Sequence, residues 1–132
     1  MIEMKRFKMK KLILFIIAIP LLAYSDGQYT GERILKAAQK YGMTDSELNY
    51  LIDNTGPDLT LKDPQTGATA LIYACVNNRP NMVKILIERG GSDIDEVDNN
   101  GETCLIGAAR KGHIEVVNIL LQSNARRDIV GN

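Results

Sequence analysis

One histidine, two cysteines, no tryptophan and no net charge is what 132 residues offer here. A zinc site needs three or four His, Cys or carboxylate ligands at short, fixed spacings. His113 and the separated Cys75 and Cys104 make no such set. Also missing are a glycine-rich phosphate loop after a strand, a Gly-x-Ser-x-Gly elbow and a pair of catalytic carboxylates. In the acidic run Asp93, Asp95, Glu96 and Asp98, the spacing of Asp93-x-Asp95 followed by Asn99 and Asn100 is too loose for the alternate ligands and bidentate Glu of a calcium loop, so it reads as a solvated turn. These absences imply no enzyme, no cofactor and no metal.

The N-terminus is the apolar part of the chain. Five basic residues lie within the first eleven positions, and "LILFIIAIPLLA" (Leu12–Ala23) follows without a charge. Small residues Ala23 and Ser25 come next, then Asp26. A basic start, an apolar core and a small-x-small end predict a secretory signal peptide over 1–25, cut after Ser25. As a helix, a dozen residues span about 18 Å, well short of the roughly 30 Å hydrocarbon core of a bilayer. Pro20 interrupts the run as well. An uncleaved N-terminal anchor is the competing expectation. Without 1–25, the rest holds 11 basic and 15 acidic groups, a net charge of −4. Nucleic acid is therefore not an expected partner, since phosphate contacts need a basic stripe.

The remaining sequence repeats itself. "GATALIYACVNNRPNMVKILIERGGSDID" (67–95) aligns with "GETCLIGAARKGHIEVVNILLQSNARRD" (101–128) at an offset of 34. Gly67 meets Gly101, Thr69 meets Thr103, Leu71 meets Leu105, Ala74 meets Ala108, Val83 meets Val117 and Leu86 meets Leu120. Thr69 and Thr103 stand where a helix N-cap belongs. Leu71, Ala74 and Cys75 recur at i, i+3, i+4, one helical face. Val83, Leu86 and Ile87, then Val117, Leu120 and Leu121, predict a second helix. Gly112 is placed to end the first helix in a left-handed conformation, and Pro80 to begin a second one. Asp98-Asn99-Asn100-Gly101 has the composition of a turn. One such unit cannot cover its own apolar face, so units must stack.

An earlier, degraded copy precedes these. Ile34, Ala37 and Ala38 give its first helix, with Glu32, Arg33, Lys36, Gln39 and Lys40 polar on the outside; Leu48, Leu51 and Ile52 give its second. Thr44-Asp45-Ser46-Glu47 fits a capping box. The predicted organisation is a capping repeat over 26–62, repeats over 63–96 and 97–128, and a tail or the start of a truncated repeat over 129–132. The fold class is all-α: a short solenoid of about three helix pairs.

The pattern resembles the ankyrin repeat. In the last copy the resemblance rests on Gly101, Thr103, Leu105, Ala108, Ala109, Gly112, His113, Glu115, Val116, Val117, Leu120 and Leu121. In the copy before, it rests on Gly67, Thr69, Leu71, Ala74, Val83, Leu86, Gly90, Asp93 and Ile94. The family's Thr-Pro-Leu-His is here Thr-Ala-Leu-Ile (69–72) and Thr-Cys-Leu-Ile (103–106). Ile72 and Ile106 are expected to replace, by burial, the bond that the family histidine makes. His113 falls on a framework position between helices.

The resemblance implies a monomeric module that binds another protein through its turn tips and the groove of its first helices. Carried onto this chain, those positions are Gln65, Thr66, Ala68, Val76, Asn77, Asn99, Asn100, Glu102, Arg110 and Lys111. With a signal peptide, it implies a bacterial periplasmic or secreted protein that meets no membrane after cleavage. The alternative is a scaffold held at the envelope by an uncleaved N-terminal helix. Cys75 and Cys104 fall at non-equivalent positions of stacked first helices about 10 Å apart. They are expected to be buried, reduced and too far apart to bridge.

Overall fold

The computed structural model describes residues 26–40 and 42–131. Six helices occupy these residues: α1 (Asp26–Gln39), α2 (Asp45–Thr55), α3 (Ala70–Val76), α4 (Pro80–Glu88), α5 (Cys104–Lys111) and α6 (Ile114–Gln122). There is no strand among the described residues. The expected signal segment, 1–25, lies outside them.

Each helix starts for a local reason. The Thr69 and Thr103 hydroxyls accept from the N–H of Ile72 and Ile106, both at 3.3 Å, satisfying donors that a helix N-terminus leaves open. Thr44 and Glu47 form the capping box: Thr44 Oγ1 accepts from Glu47 N–H, and Thr44 N–H donates to the Glu47 carboxylate, each at 3.1 Å. Pro80 opens α4, where its missing N–H costs nothing. The α5 helix ends at Gly112 in the left-handed region, φ 74°. The Asp98–Gly101 turn closes by a Gly101 N–H to Asp98 carbonyl bond of 3.0 Å.

The helices form two rows. The first helices α1, α3 and α5 stand side by side, and so do the second helices α2, α4 and α6. The core runs between the rows through Ile34, Ala38, Leu48, Leu71, Ala74, Val83, Leu86, Ala108, Val116 and Leu120. Small residues where first helices meet let them lie close together. Bonds across the copies fix their register. The Arg79 guanidinium donates to the Ala37 carbonyl at 2.6 Å, the Asn77 amide to the Ala38 carbonyl at 2.8 Å, and His113 Nε2 to the Val76 carbonyl at 2.9 Å. Each satisfies carbonyls that the end of a preceding first helix leaves without a helical donor. Arg79 stands in the place of His113 in the earlier copy and does the same work with a different side chain.

Two expectations need correction, the inner faces of the second helices and the burial of Ile106. The first helix, whose start the pattern left open, runs from Asp26, about two turns ahead of Ile34. A bond from Asp58 N–H to the Gly27 carbonyl (2.8 Å) and the Thr30–Thr55 hydroxyl contact (3.1 Å) hold this extension against the end of α2. The inner faces of α4 and α6 centre on Met82, Val83 and Leu86 and on Val116, Ile119 and Leu120, with Ile87, Val117 and Leu121 at their edge. Ile72 is buried as expected, but Ile106 is only half-buried, because α5 meets a described first helix on one side alone. Cys75 and Cys104 are free and buried, as expected.

Candidate partner-binding groove

Two turns project side by side ahead of α3 and α5. In the first, Asp63 N–H donates to the Ala68 carbonyl (2.9 Å) and Gly67 N–H to the Asp63 carbonyl (2.7 Å). In the second, Asp98 N–H donates to the Glu102 carbonyl (3.0 Å). An aspartate organises each from within. Asp63 accepts from Gln65 N–H at 2.8 Å; Asp98 accepts from Asn100 and Glu102 N–H at 2.8 and 3.0 Å. Such side-chain-to-backbone bonds are why Asp favours turns. The two tips are joined by the Asn99 N–H, which donates to the Thr66 carbonyl at 2.9 Å. Gly67, at φ 73°, lets them approach: the Asn99 amide occupies the space its Cβ would need.

Between the tips and the first helices lies a groove of about 300 Å3. It is lined by Gln65, Thr66, Ala68, Val76, Asn99, Asn100, Glu102 and Arg110 from the sequence expectation, joined by Ile72, Tyr73 and Asp98. Gln65, Thr66, Asn99, Asn100 and Arg110 are exposed, Val76 and Glu102 half-buried, and Ala68 buried as part of the floor. The Arg110 guanidinium pairs with the Glu102 carboxylate across the groove wall. Tyr73 carries the most chemistry. Its hydroxyl donates to Asp63 Oδ2 at 2.5 Å and meets the Thr66 hydroxyl at 2.8 Å. That bond, with the Gln65 N–H, holds the Asp63 carboxyl below the usual value of 3.8. Burial, then the Asp63 carboxylate, push the Tyr73 phenol above its usual value of 10.0. The arrangement offers amides, hydroxyls and one paired guanidinium around a small apolar floor. Among the described residues no cluster of three or more His, Cys, Asp or Glu could hold a metal.

The family model described as Ankyrin repeats (3 copies) matches residues 34–130. The chain belongs to the ankyrin-repeat family. Its similarity to human photoreceptor ankyrin repeat protein is 29% identity over 77 residues, 58% of this chain and 17% of that one. Putative ankyrin repeat protein L92 of Acanthamoeba polyphaga mimivirus is 38% identical over 65 residues, 48% of this chain and 16% of its own. Palmitoyltransferase Hip14 of Drosophila melanogaster is 32% identical over 107 residues, 80% of this chain and 16% of its own. The ankyrin chain described here thus spans less than a fifth of the length of these relatives. Ankyrin repeats are general protein–protein interaction modules.

Within this ankyrin array the remaining two expected residues lie outside the groove. Asn77 is exposed, but its amide is engaged with the Ala38 and Gln39 carbonyls at 2.8 and 3.3 Å. Lys111, exposed in the last turn of α5, lies beyond the lining. Ile72 and Tyr73 entered the groove unannounced. The pattern marks Ile72 as core, and Tyr73 replaces what is Gly107 in the next copy. That replacement was the available signal: a large polar-tipped ring where the other copy has no side chain. A second hollow, about 270 Å3, lies between the loops after α2 and α4, lined by Pro57 to Thr60 and Gly90 to Asp93. None of the ten expected residues borders it.

Proposed function

We propose that this chain is an exported, monomeric, non-catalytic binding module that holds a protein partner against the groove between its turn tips and first helices. The supporting observation is that eight of the ten positions reached by repeat alignment line a single groove. The mechanism is complementarity of a rigid surface. Tip-to-tip bonding and the helix rows hold the groove in shape before the partner arrives, so little ordering entropy is lost on binding. The groove carries no excess of basic residues, which favours a protein partner over a nucleic acid. The reading places the protein in a bacterial periplasm or secreted space, with 1–25 removed after Ser25. Among the described residues, no helix is long and apolar enough to cross a membrane.

Affinity capture from cell-envelope extract tests the groove. The bait is the chain beside a variant carrying Gln65→Ala, Asn100→Ala and Arg110→Ala, all three exposed. The original should retain a protein that the variant loses, with both melting alike. Equal capture by both would reject the groove. Export has its own readout, the mass of the protein recovered from cells: loss of residues 1–25 is expected, and their retention would favour the anchored scaffold.

A further inference from the structure

The two tips are organised alike and finished differently. Both oxygens of Asp63 are taken, Oδ1 by the Gln65 N–H at 2.8 Å and Oδ2 by the Tyr73 hydroxyl at 2.5 Å. In Asp98 only Oδ1 is taken, by the N–H groups of Asn100 and Glu102 at 2.8 and 3.0 Å. Its Oδ2 has no hydrogen-bond or ion-pair partner among the described residues. The position that would match Tyr73 is Gly107, where a Cβ would come within 2.9 Å of the Val76 side chain on α3. Packing of α5 against α3 thus keeps a second phenol away from the second aspartate. Asp98 is half-buried and lines the groove. The other carboxylate in the lining, Glu102, is already paired with Arg110.

We propose that the partner enters this groove with a lysine, its ammonium on Asp98 Oδ2 and its alkyl stem along the floor of Ala68, Ile72 and Val76. The inference rests on the groove reading and names the side chain that the groove selects. A carboxylate partly withdrawn from water and without a counter-charge favours a partner that brings one. Arg110 is committed to Glu102 and does not supply it. One open oxygen suits an ammonium, whose three donors rotate freely. A guanidinium fork draws its advantage from two acceptors in its plane, and Asp98 offers one. The stem of a lysine covers apolar surface while its head stays at the polar edge, which matches a small apolar floor beneath a carboxylate. The wider field agrees. Residues 26–132 hold 11 basic and 15 acidic groups, so a basic segment is drawn toward the chain before contact.

The test selects random linear peptides, displayed on phage, on the chain as recovered from cells. Counter-selection on the variant carrying Gln65→Ala, Asn100→Ala and Arg110→Ala keeps the peptides that need the groove. These should share a lysine at one position. One such peptide is then synthesised twice, with that lysine free and with it acetylated, which keeps the stem and removes the charge. Both are titrated by calorimetry against the original chain and Asp98→Asn. Asparagine keeps an oxygen for the Asn100 and Glu102 N–H groups and suits a turn, so this variant should melt with the original. The original should prefer the free lysine about tenfold, as a charge-assisted bond does, and the preference should shrink as salt rises. Asp98→Asn should show no preference. Groove-dependent peptides without a common lysine, equal binding of the two peptides by the original, or a preference that survives Asp98→Asn would each overturn the lysine subsite and leave the groove standing. A selection that yields no peptide lost by the triple variant would overturn both.

Discussion

Leu71 and Leu105 hold the same place in successive copies of one pattern, yet Leu71 is 1% exposed and Leu105 half-buried. The same contrast separates Ile72 from Ile106, Cys75 from Ala109 and Val83 from Val117. In each pair the helix begins at the equivalent residue, and in the first-helix pairs the threonine N-cap bond is the same. What differs is company. The α3 and α4 helices have helix pairs on both sides, whereas α5 and α6 meet one described pair. Local bonding thus makes the brick, and only stacking makes a core out of it, as expected of a quasi-one-dimensional fold.

The comparison breaks most visibly at the leucines. Leu71→Ala removes a fully enclosed side chain and leaves a cavity between two interfaces, which should cost about 3 kcal/mol. Leu105→Ala uncovers surface already half in water and should cost about 1 kcal/mol. Urea unfolding of both variants measures the gap. Equal losses would mean that the burial difference has no energetic counterpart.

The turn between the helices of each copy gives a smaller, signed version. Gly112 and Asn78 are equivalent, and both sit in the left-handed region, at φ 74° and 56°. Glycine adopts this without a Cβ penalty, and asparagine tolerates it. Gly112→Ala should destabilise by about 1 kcal/mol, whereas Asn78→Gly should be neutral or stabilise by a few tenths. Thermal melts read both. A loss on Asn78→Gly would show that the Asn78 side chain, and not its backbone, matters to the copy.

How much of this could be read from the residues follows the same division. The N-caps at Thr44, Thr69 and Thr103, the stop at Gly112 and the start at Pro80 were legible, because each depends on a few neighbouring backbone groups. The tip residues lining the groove were legible through the repeat: once two copies are superposed, equivalent tips must fall on one side. Three things were not. The burial of Ile106 depends on a neighbour, which no local pattern encodes. The engagement of Asn77 with Ala38 depends on where the preceding helix ends. The early start of α1 was hidden by Gly27 and Gly31, since glycine argues against a helix until the loop before α3 supplies tertiary contacts.

The groove itself holds the least energetic and most diagnostic contrast. The first tip has a phenol, Tyr73, bonded to its organising aspartate; the second has Gly107 at that place and leans on the backbone N–H groups of Asn100 and Glu102. Tyr73→Phe keeps the ring and deletes the bond, and should cost about 0.5 kcal/mol near neutrality. Its pH signature is sharper than its size. The folded Asp63 carboxyl lies below its ordinary 3.8, so its contribution is whole above that value and drains away as pH falls through the lowered one. The folded Tyr73 phenol lies above its ordinary 10.0, so its contribution is whole below that value and is lost as pH climbs through the raised one. The original should therefore lose its advantage over Tyr73→Phe at both extremes while keeping it between about pH 4 and 10. Stability curves of the two proteins that run parallel from acid to alkali would sever Tyr73 from Asp63. They would leave the two tips held by backbone bonds alone.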